Sequence, residues 1–387
     1  MARGPDGSGG GAGFSLRDQL FNPDTLGDLA REYAILPGFD PDRFRAQALK
    51  GLAPLGLMAR LDHIADAVSA QMPGLAPDGT CTDFPALADA LEAAMPPPLC
   101  PKAMDNDFGR FIHAVPGILA VRHGMEPSGH HRDRALTLLH AATQRFSMEF
   151  YIRPYLDRWP DVVLDRLRDW ATDGNYHVRR LVSEGTRPRL PWGKGLSLDP
   201  LRMLPLLDAL YADSTRYVTR SVANHLNDLT RAHGGAVLER LSDWAEQGAQ
   251  TPKELEWMTR HALRTAVKRA DGAALAHLGY RADVPVTAGL SLAPNPVARG
   301  QAVQITATLK ADMALPVMVD YRIQFAGGRE KVFKLKSARI SPGAPLTLSK
   351  AHKLKADAAT FTLHPGAHLV TLQVNGVDRA QATFDVT

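Results

Sequence analysis

The sequence predicts an all-helical repeat array followed by a β-sandwich, and three observations carry that reading. A pattern recurs every forty residues: Asn175-Tyr176-His177-Val178-Arg179-Arg180, then Arg216-Tyr217-Val218-Thr219-Arg220, then Glu256-Trp257-Met258-Thr259-Arg260. The stretch from Val163 to Trp170 returns as Val237 to Trp244, ending each time in Asp-Trp. After about Asp283 the apolar residues alternate at period two, which they do nowhere before. Periods of about 40–47 residues in helical sequence mark HEAT or armadillo-like helix pairs, which stack because a single pair cannot bury its apolar face. The fold class is therefore a HEAT-like α-solenoid over residues 14–284, followed by an immunoglobulin-like β-sandwich over 285–387.

Residues 1–13 are rich in glycine, lack periodicity and read as a disordered tail. From Ser15 the helical period begins, with Leu16, Leu20 and Phe21 on one short face. Asp24 is a candidate N-cap for a helix carrying Leu26, Leu29, Tyr33 and Leu36. Asp40-Pro41 opens the next, expected to run through Phe44, Ala48, Leu52 and Leu55. Leu57, Leu61, Ile64 and Val68 mark another, and Pro96-Pro97-Pro98 ends the segment after it. Phe108 to His113 and Arg134 to Arg145 add further helix. Seven alternating runs follow, starting near Leu290, Val303, Val317, Val332, Leu346, Leu369 and Ala382. Turn chemistry separates several of them: Gly327-Gly328, Pro342-Gly343, Pro365-Gly366 and Asn375-Gly376. Seven short strands in about 100 residues suit an immunoglobulin-like sandwich.

Apolar content of 45% and charge of 22% are those of an ordinary globular protein. No run of about 18 apolar residues indicates a membrane span, and no apolar signal-peptide core is visible near Met1. Cys81 and Cys100 are too few for a disulfide framework, so free thiols in a reducing cytoplasm are expected. The net charge of +4 is uneven: residues 286–387 hold 12 Lys+Arg against 6 Asp+Glu, and the remainder holds 33 against 35. Basic residues nevertheless cluster there, at Arg179, Arg180, Arg187, Arg189 and Lys194, and again at Arg260, Arg264, Lys268 and Arg269. Such local patches suit a polyanion, and equally a solvated helix face.

Three places attract chemistry. Glu149 lies in the aromatic run Phe146 to Pro154, where a carboxylate is costly unless paired or used; the plainer reading pairs it with Arg145 or Arg153 at helical spacing. Trp192 follows Arg187-Pro188-Arg189-Leu190-Pro191, where two prolines enforce an ordered loop. Its ring is placed either to stack on a ligand or to pack back on the core. Asn224, Asn227 and Asp228 share one helix face, as a ligand-facing stripe or as helix–helix hydrogen bonding. His130-His131 has no matching ligand spacing, and no nucleophile elbow or phosphate loop is present, so neither a metal nor a cofactor is expected.

The run His177 to Trp192 resembles the signature of AlkC-type DNA alkylation-repair glycosylases. So do Ser221 to Asp228, Phe150 to Pro154, and His261 to Thr265 with Lys268-Arg269. The resemblance spans about residues 14–387, and the sandwich is similar to the C-terminal domain of one branch of that family. It implies a monofunctional enzyme of base excision repair that removes cationic 3-methyladenine and 3-methylcytosine from duplex DNA without flipping the lesion. A monomer is the simple expectation, placed in the bacterial cytoplasm and on the nucleoid when bound to DNA. The related AlkD proteins set two tryptophans and an aspartate against the lesion's deoxyribose. Asn224 and Asn227 stand where AlkD carries its second tryptophan and a following arginine, which favours the AlkC substrate set.

Under that resemblance Glu149 is the carboxylate that stabilises the oxocarbenium ion and orients water. Trp192 packs near the exposed sugar, and Asp228 assists or orders Asn224 and Asn227. Arg179, Arg180, Arg187, Arg189, Arg220, Arg264, Lys268 and Arg269 are the candidate DNA contacts. The competing expectation is a HEAT-repeat module that binds DNA or protein without chemistry.

Overall fold

The computed structural model describes residues 15–100, 107–191, 193–355 and 362–387. The chain divides into two compact units, Met1–Asp228 with Gly248–Glu254, and Leu229–Gln247 with Leu255–Thr387. The expected tail at residues 1–13 lies outside the described residues.

The helices run α1 (Leu16–Leu20), α2 (Pro23–Tyr33), α3 (Pro41–Leu49), α4 (Leu57–Ser69), α5 (Phe84–Ala93), α6 (Val115–Gly124), α7 (Arg132–Thr143) and α8 (Ile152–Arg158). They continue as α9 (Pro160–Trp170), α10 (Tyr176–Glu184), α11 (Leu204–Leu210), α12 (Arg216–Leu229), α13 (Gly234–Gln247), α14 (Pro252–Ala262), α15 (Arg264–Lys268) and α16 (Gly272–His277). Several starts follow from side-chain caps. Asp40 caps α3, Asp83 caps α5 and Asn175 caps α10, each accepting a backbone N–H of the first turn. The α2 cap is Asn22, not Asp24. Its side chain takes the N–H groups of Asp24 and Thr25, Thr25 answers in a capping box, and Pro23 fills the first helical position. The α3 helix stops at Leu49, short of Leu55, because Gly51 turns the chain through φ +78°.

The first half of the helix expected from Phe108 to His113 is absent. A short 3-10 turn covers only Phe111–Ala114. Gly109, at φ +69°, pairs as an isolated bridge with Phe146 instead. A Cβ at Gly109 would stand 1.9 Å from the Arg145 carbonyl oxygen, so only glycine fits.

The strands are β1 (Thr287–Ala293), β2 (Ala302–Lys310), β3 (Leu315–Gln324), β4 (Glu330–Ile340), β5 (Leu346–Lys353), β6 (Gly366–Val374) and β7 (Val377–Val386). They form two antiparallel sheets, ordered β1-β2-β5 and β4-β3-β6-β7. The inward residues of both sheets, among them Ala307, Leu309, Val317, Val319, Leu372 and Val374, bury one apolar core. A second core gathers Val303, Ile305, Tyr321, Ile323, Val370 and Phe384. The period-two reading of seven strands is thus realised, and the fold class is a helical array followed by an immunoglobulin-like sandwich.

Candidate active site and nucleic-acid interface

Glu149 sits in the turn between α7 and α8. Met148, fully buried, fixes that turn: its N–H donates to Thr143 Oγ1 at 2.9 Å, and its carbonyl accepts from Tyr151 and Ile152. The turn presses against α6, where a Cβ on Gly117 would come within 2.3 Å of the Tyr151 ring and 2.7 Å of Met148 Sδ. Glu149 pairs with neither Arg145 nor Arg153. Arg145 donates to the carbonyls of Pro96 and Ala141, and Arg153 to those of Lys194, Gly185 and Arg187. Glu149 Oε2 instead takes Arg180 Nη1 at 2.9 Å and the Ser147 hydroxyl at 2.8 Å.

From there the charges alternate inward. Arg180, on α10, stands 3.6 Å from Glu184 Oε2. Glu184 accepts from Arg187 at 2.5 Å and from the Ser221 hydroxyl at 2.6 Å. Arg187 Nε reaches Asp228 Oδ2 at 2.9 Å. The order is Glu149, Arg180, Glu184, Arg187, Asp228, three carboxylates alternating with two guanidiniums. All five side chains are between 7% and 16% exposed. Burial pushes the Glu184 carboxyl up, but Arg180 and Arg187 outweigh it and hold it below the usual glutamate range. Burial works against the Arg180 guanidinium, and Glu149, with Glu184, still raises its pKa. Glu184 is the member of this chain that the sequence reading did not single out.

The other candidate contacts divide. Arg179 is engaged with Asp213 at 2.6 and 3.2 Å and with the Asp173 carbonyl. Arg189 is exposed on the loop after α10, and buried Arg153 ties that loop down through the Arg187 and Lys194 carbonyls. Trp192, on the same loop, lies outside the described residues. Arg220 is half-buried on α12, its guanidinium 5.9 Å from the Tyr217 ring. Asn224 is half-buried and Asn227 buried on that helix, beside Asp228 in sequence. Arg269 donates to the Thr230 carbonyl at 2.9 Å. Arg264 and Lys268, with Arg260, Asp320 and Lys334, line a cavity of about 180 Å³. Among the described residues no three His, Cys, Asp or Glu side chains stand together as metal ligands, and no helix is long and apolar enough to cross a membrane.

A family model described as the C-terminal Ig-like domain of uncharacterised protein YhaZ matches residues 286–387. Uncharacterized protein YhaZ of Bacillus subtilis (strain 168) is 33% identical over 264 residues, which is 66% of this chain and 72% of that protein. The solved structure of Pseudomonas fluorescens alkylpurine DNA glycosylase AlkC, bound to DNA containing an abasic site analog, superposes with a TM-score of 0.82 at 31% identity. That match covers 97% of this chain and all of the other. The chain belongs to the AlkC family. The AlkC match takes in the helices that carry the charge chain as well as the sandwich, so the assignment does not rest on the C-terminal domain alone.

Proposed function

We propose that this protein is a DNA glycosylase that removes cationic N3-alkylated bases, 3-methyladenine and 3-methylcytosine, from duplex DNA. The observation that carries the reading is the buried chain of alternating charges that ends at the Glu149 carboxylate. Membership of the AlkC family supports it independently.

The chemistry follows from charge. An N3-alkylated base is already cationic and leaves as a neutral molecule. When the C1′–N bond breaks, its electron pair goes with the base and the positive charge moves to the deoxyribose. A carboxylate held against the sugar in a low-dielectric setting favours that transition state over the ground state. Glu149 faces the sugar, and water adds to C1′ while its proton passes to the carboxylate. Arg180 and Ser147 hold the Glu149 oxygen in place beforehand, so little reorganisation is needed. Glu184 and Asp228 supply the field behind it, each fixed by Arg187. The base departs and the hydrated sugar stays in the strand as an abasic site; no lysine is assigned to a Schiff base, so strand cleavage is not part of the reaction. The Trp192 loop packs near the deoxyribose, and Arg189, Arg220, Arg264, Lys268 and Arg269 bind phosphates.

The test is base release from a duplex carrying one 3-methylcytosine or one 3-methyladenine. The wild type releases base, and Glu149→Gln binds the same duplex but releases base about a hundredfold more slowly. Tight binding without release from either lesion by the wild type would replace the enzyme with a non-catalytic DNA-binding module.

A further inference from the structure

Phe108 is the one aromatic ring among the large apolar side chains left exposed in the described residues, half of its surface being open. Burying such a ring would stabilise a fold. This chain forgoes part of that, yet holds the ring in place. Its neighbour Gly109 is locked by its left-handed backbone, by the bridge to Phe146, and by its N–H donating to Asp107 Oδ1 at 3.1 Å. Phe111 anchors the same segment, stacked on Phe146 at 4.8 Å.

The position of the ring is specific. Phe146 leads directly to Glu149, so the bridge places the Phe108 segment and the catalytic turn side by side. The Phe108 ring meets the edge of Tyr217 at 5.5 Å. Tyr217 in turn lies under the Arg180 guanidinium, 4.8 Å from its centroid, and Arg180 holds Glu149. Arg220 stands 6.0 Å from the Phe108 centroid, a cation beside an exposed ring. An exposed apolar side chain flanked by a cation is the chemistry that enters a base step while an adjacent phosphate is held.

Resting on the glycosylase reading above, we infer that Phe108 is an apolar wedge that enters the duplex at the base step beside the lesion. It opens the stack where Glu149 meets the sugar. The wedge acts on a neighbouring step and leaves the lesion itself to the carboxylate.

The experiment uses the full chain and a duplex with one 3-methylcytosine flanked by 2-aminopurine, whose fluorescence rises when it is unstacked. Wild-type binding raises the fluorescence; Phe108→Ala removes at least half of the rise, and Phe108→Trp retains it. The step must open unaided once the ring is gone, so Phe108→Ala slows release from the intact duplex about tenfold or more. Against a duplex already opened by a one-nucleotide gap beside the lesion, it slows release less than about threefold. Phe108→Leu, which keeps apolar volume without the ring, falls between. A full fluorescence rise in Phe108→Ala, or an equal loss on intact and gapped DNA, overturns the wedge. A wild type that unstacks 2-aminopurine but releases no base keeps the wedge and refutes the glycosylase. A wild type that releases base with no fluorescence change does the reverse.

Discussion

Glu149 keeps 16% of its side chain exposed and Glu184 only 7%, and that difference separates what their loss does. In Glu149→Gln the amide still accepts from Ser147 and Arg180, at a cost of about 1.5 kcal/mol. In Glu184→Gln two buried guanidiniums lose a shared counter-charge, and Arg187 is left with Asp228 alone. Removing one member of such a group costs about 3 kcal/mol. Urea unfolding of the two variants at pH 7 should therefore place Glu184→Gln well below Glu149→Gln; equal midpoints would mean that water reaches both sites alike. Glu149's need for a partner was legible, because a carboxylate inside an aromatic run is costly unless paired or used. Its partner was not: Arg180 is 31 residues away and pairs across helices. Glu184 escaped notice because an acid four residues after one arginine and three before another reads as a surface ion pair on a helix. Only packing shows that this face is turned inward.

At the scale of elements, α10 and α12 each bury a neutral histidine. His225 Nδ1 lies 3.1 Å from the Ser183 carbonyl, which only accepts, so that nitrogen carries the hydrogen. Burial drives its pKa down to about 3, against the pull of that hydrogen bond. Burial, with Arg180 adding to it, lowers His177 to about 4. The sign follows: the folded state holds these rings neutral while the unfolded chain protonates them near pH 6.5. Stability is present above that value and is lost as the pH falls toward the folded pKa, by about 1.4 kcal/mol per pH unit for each ring. Glu184 adds its own loss below the usual glutamate range, again on acidification. Urea titrations of the wild type and His225→Gln between pH 6 and 5 should differ in slope by about one proton. Identical slopes would mean that the wild-type ring protonates in place. The helices that hold these histidines were legible from the forty-residue recurrence of their apolar anchors. The segment around Phe108 was not, because its backbone is set by the bridge to Phe146 and the left-handed Gly109, which leave no periodic trace.

For the whole molecule the question is which of the many arginines meet phosphate. The forty-residue period aligned Arg180, Arg220 and Arg260 as equivalents, and seven alternating runs marked the strands, so the order of helices and sandwich was readable. The fate of each charge was not periodic. Arg180 is consumed by Glu149, Arg260 is paired with Glu256, and Arg179, by analogy of position a surface cation, is held by Asp213. Replacing Arg179 or Arg180 therefore disturbs the fold or the carboxylates as well as any contact with DNA. Arg264, Lys268 and Arg269 make a second test: Lys268 and Arg269 are exposed and Arg264 is half-buried, and the contacts of Arg264 and Arg269 include the His261 and Thr230 carbonyls. Each phosphate contact releases counterions, and log K falls with log salt by about 0.9 per contact. The triple alanine variant should thus bind undamaged duplex with a salt slope shallower by up to about 2.7, a figure that assumes all three side chains meet phosphate. Release of 3-methylcytosine at saturating DNA should stay at the wild-type rate, because the charge chain from Glu149 to Asp228 is untouched. An unchanged slope with unchanged release would assign these residues to solvent and confine the phosphate contacts to the groups near Arg189 and Arg220. A shallower slope with lost release would place α15 among the elements that set the lesion against Glu149.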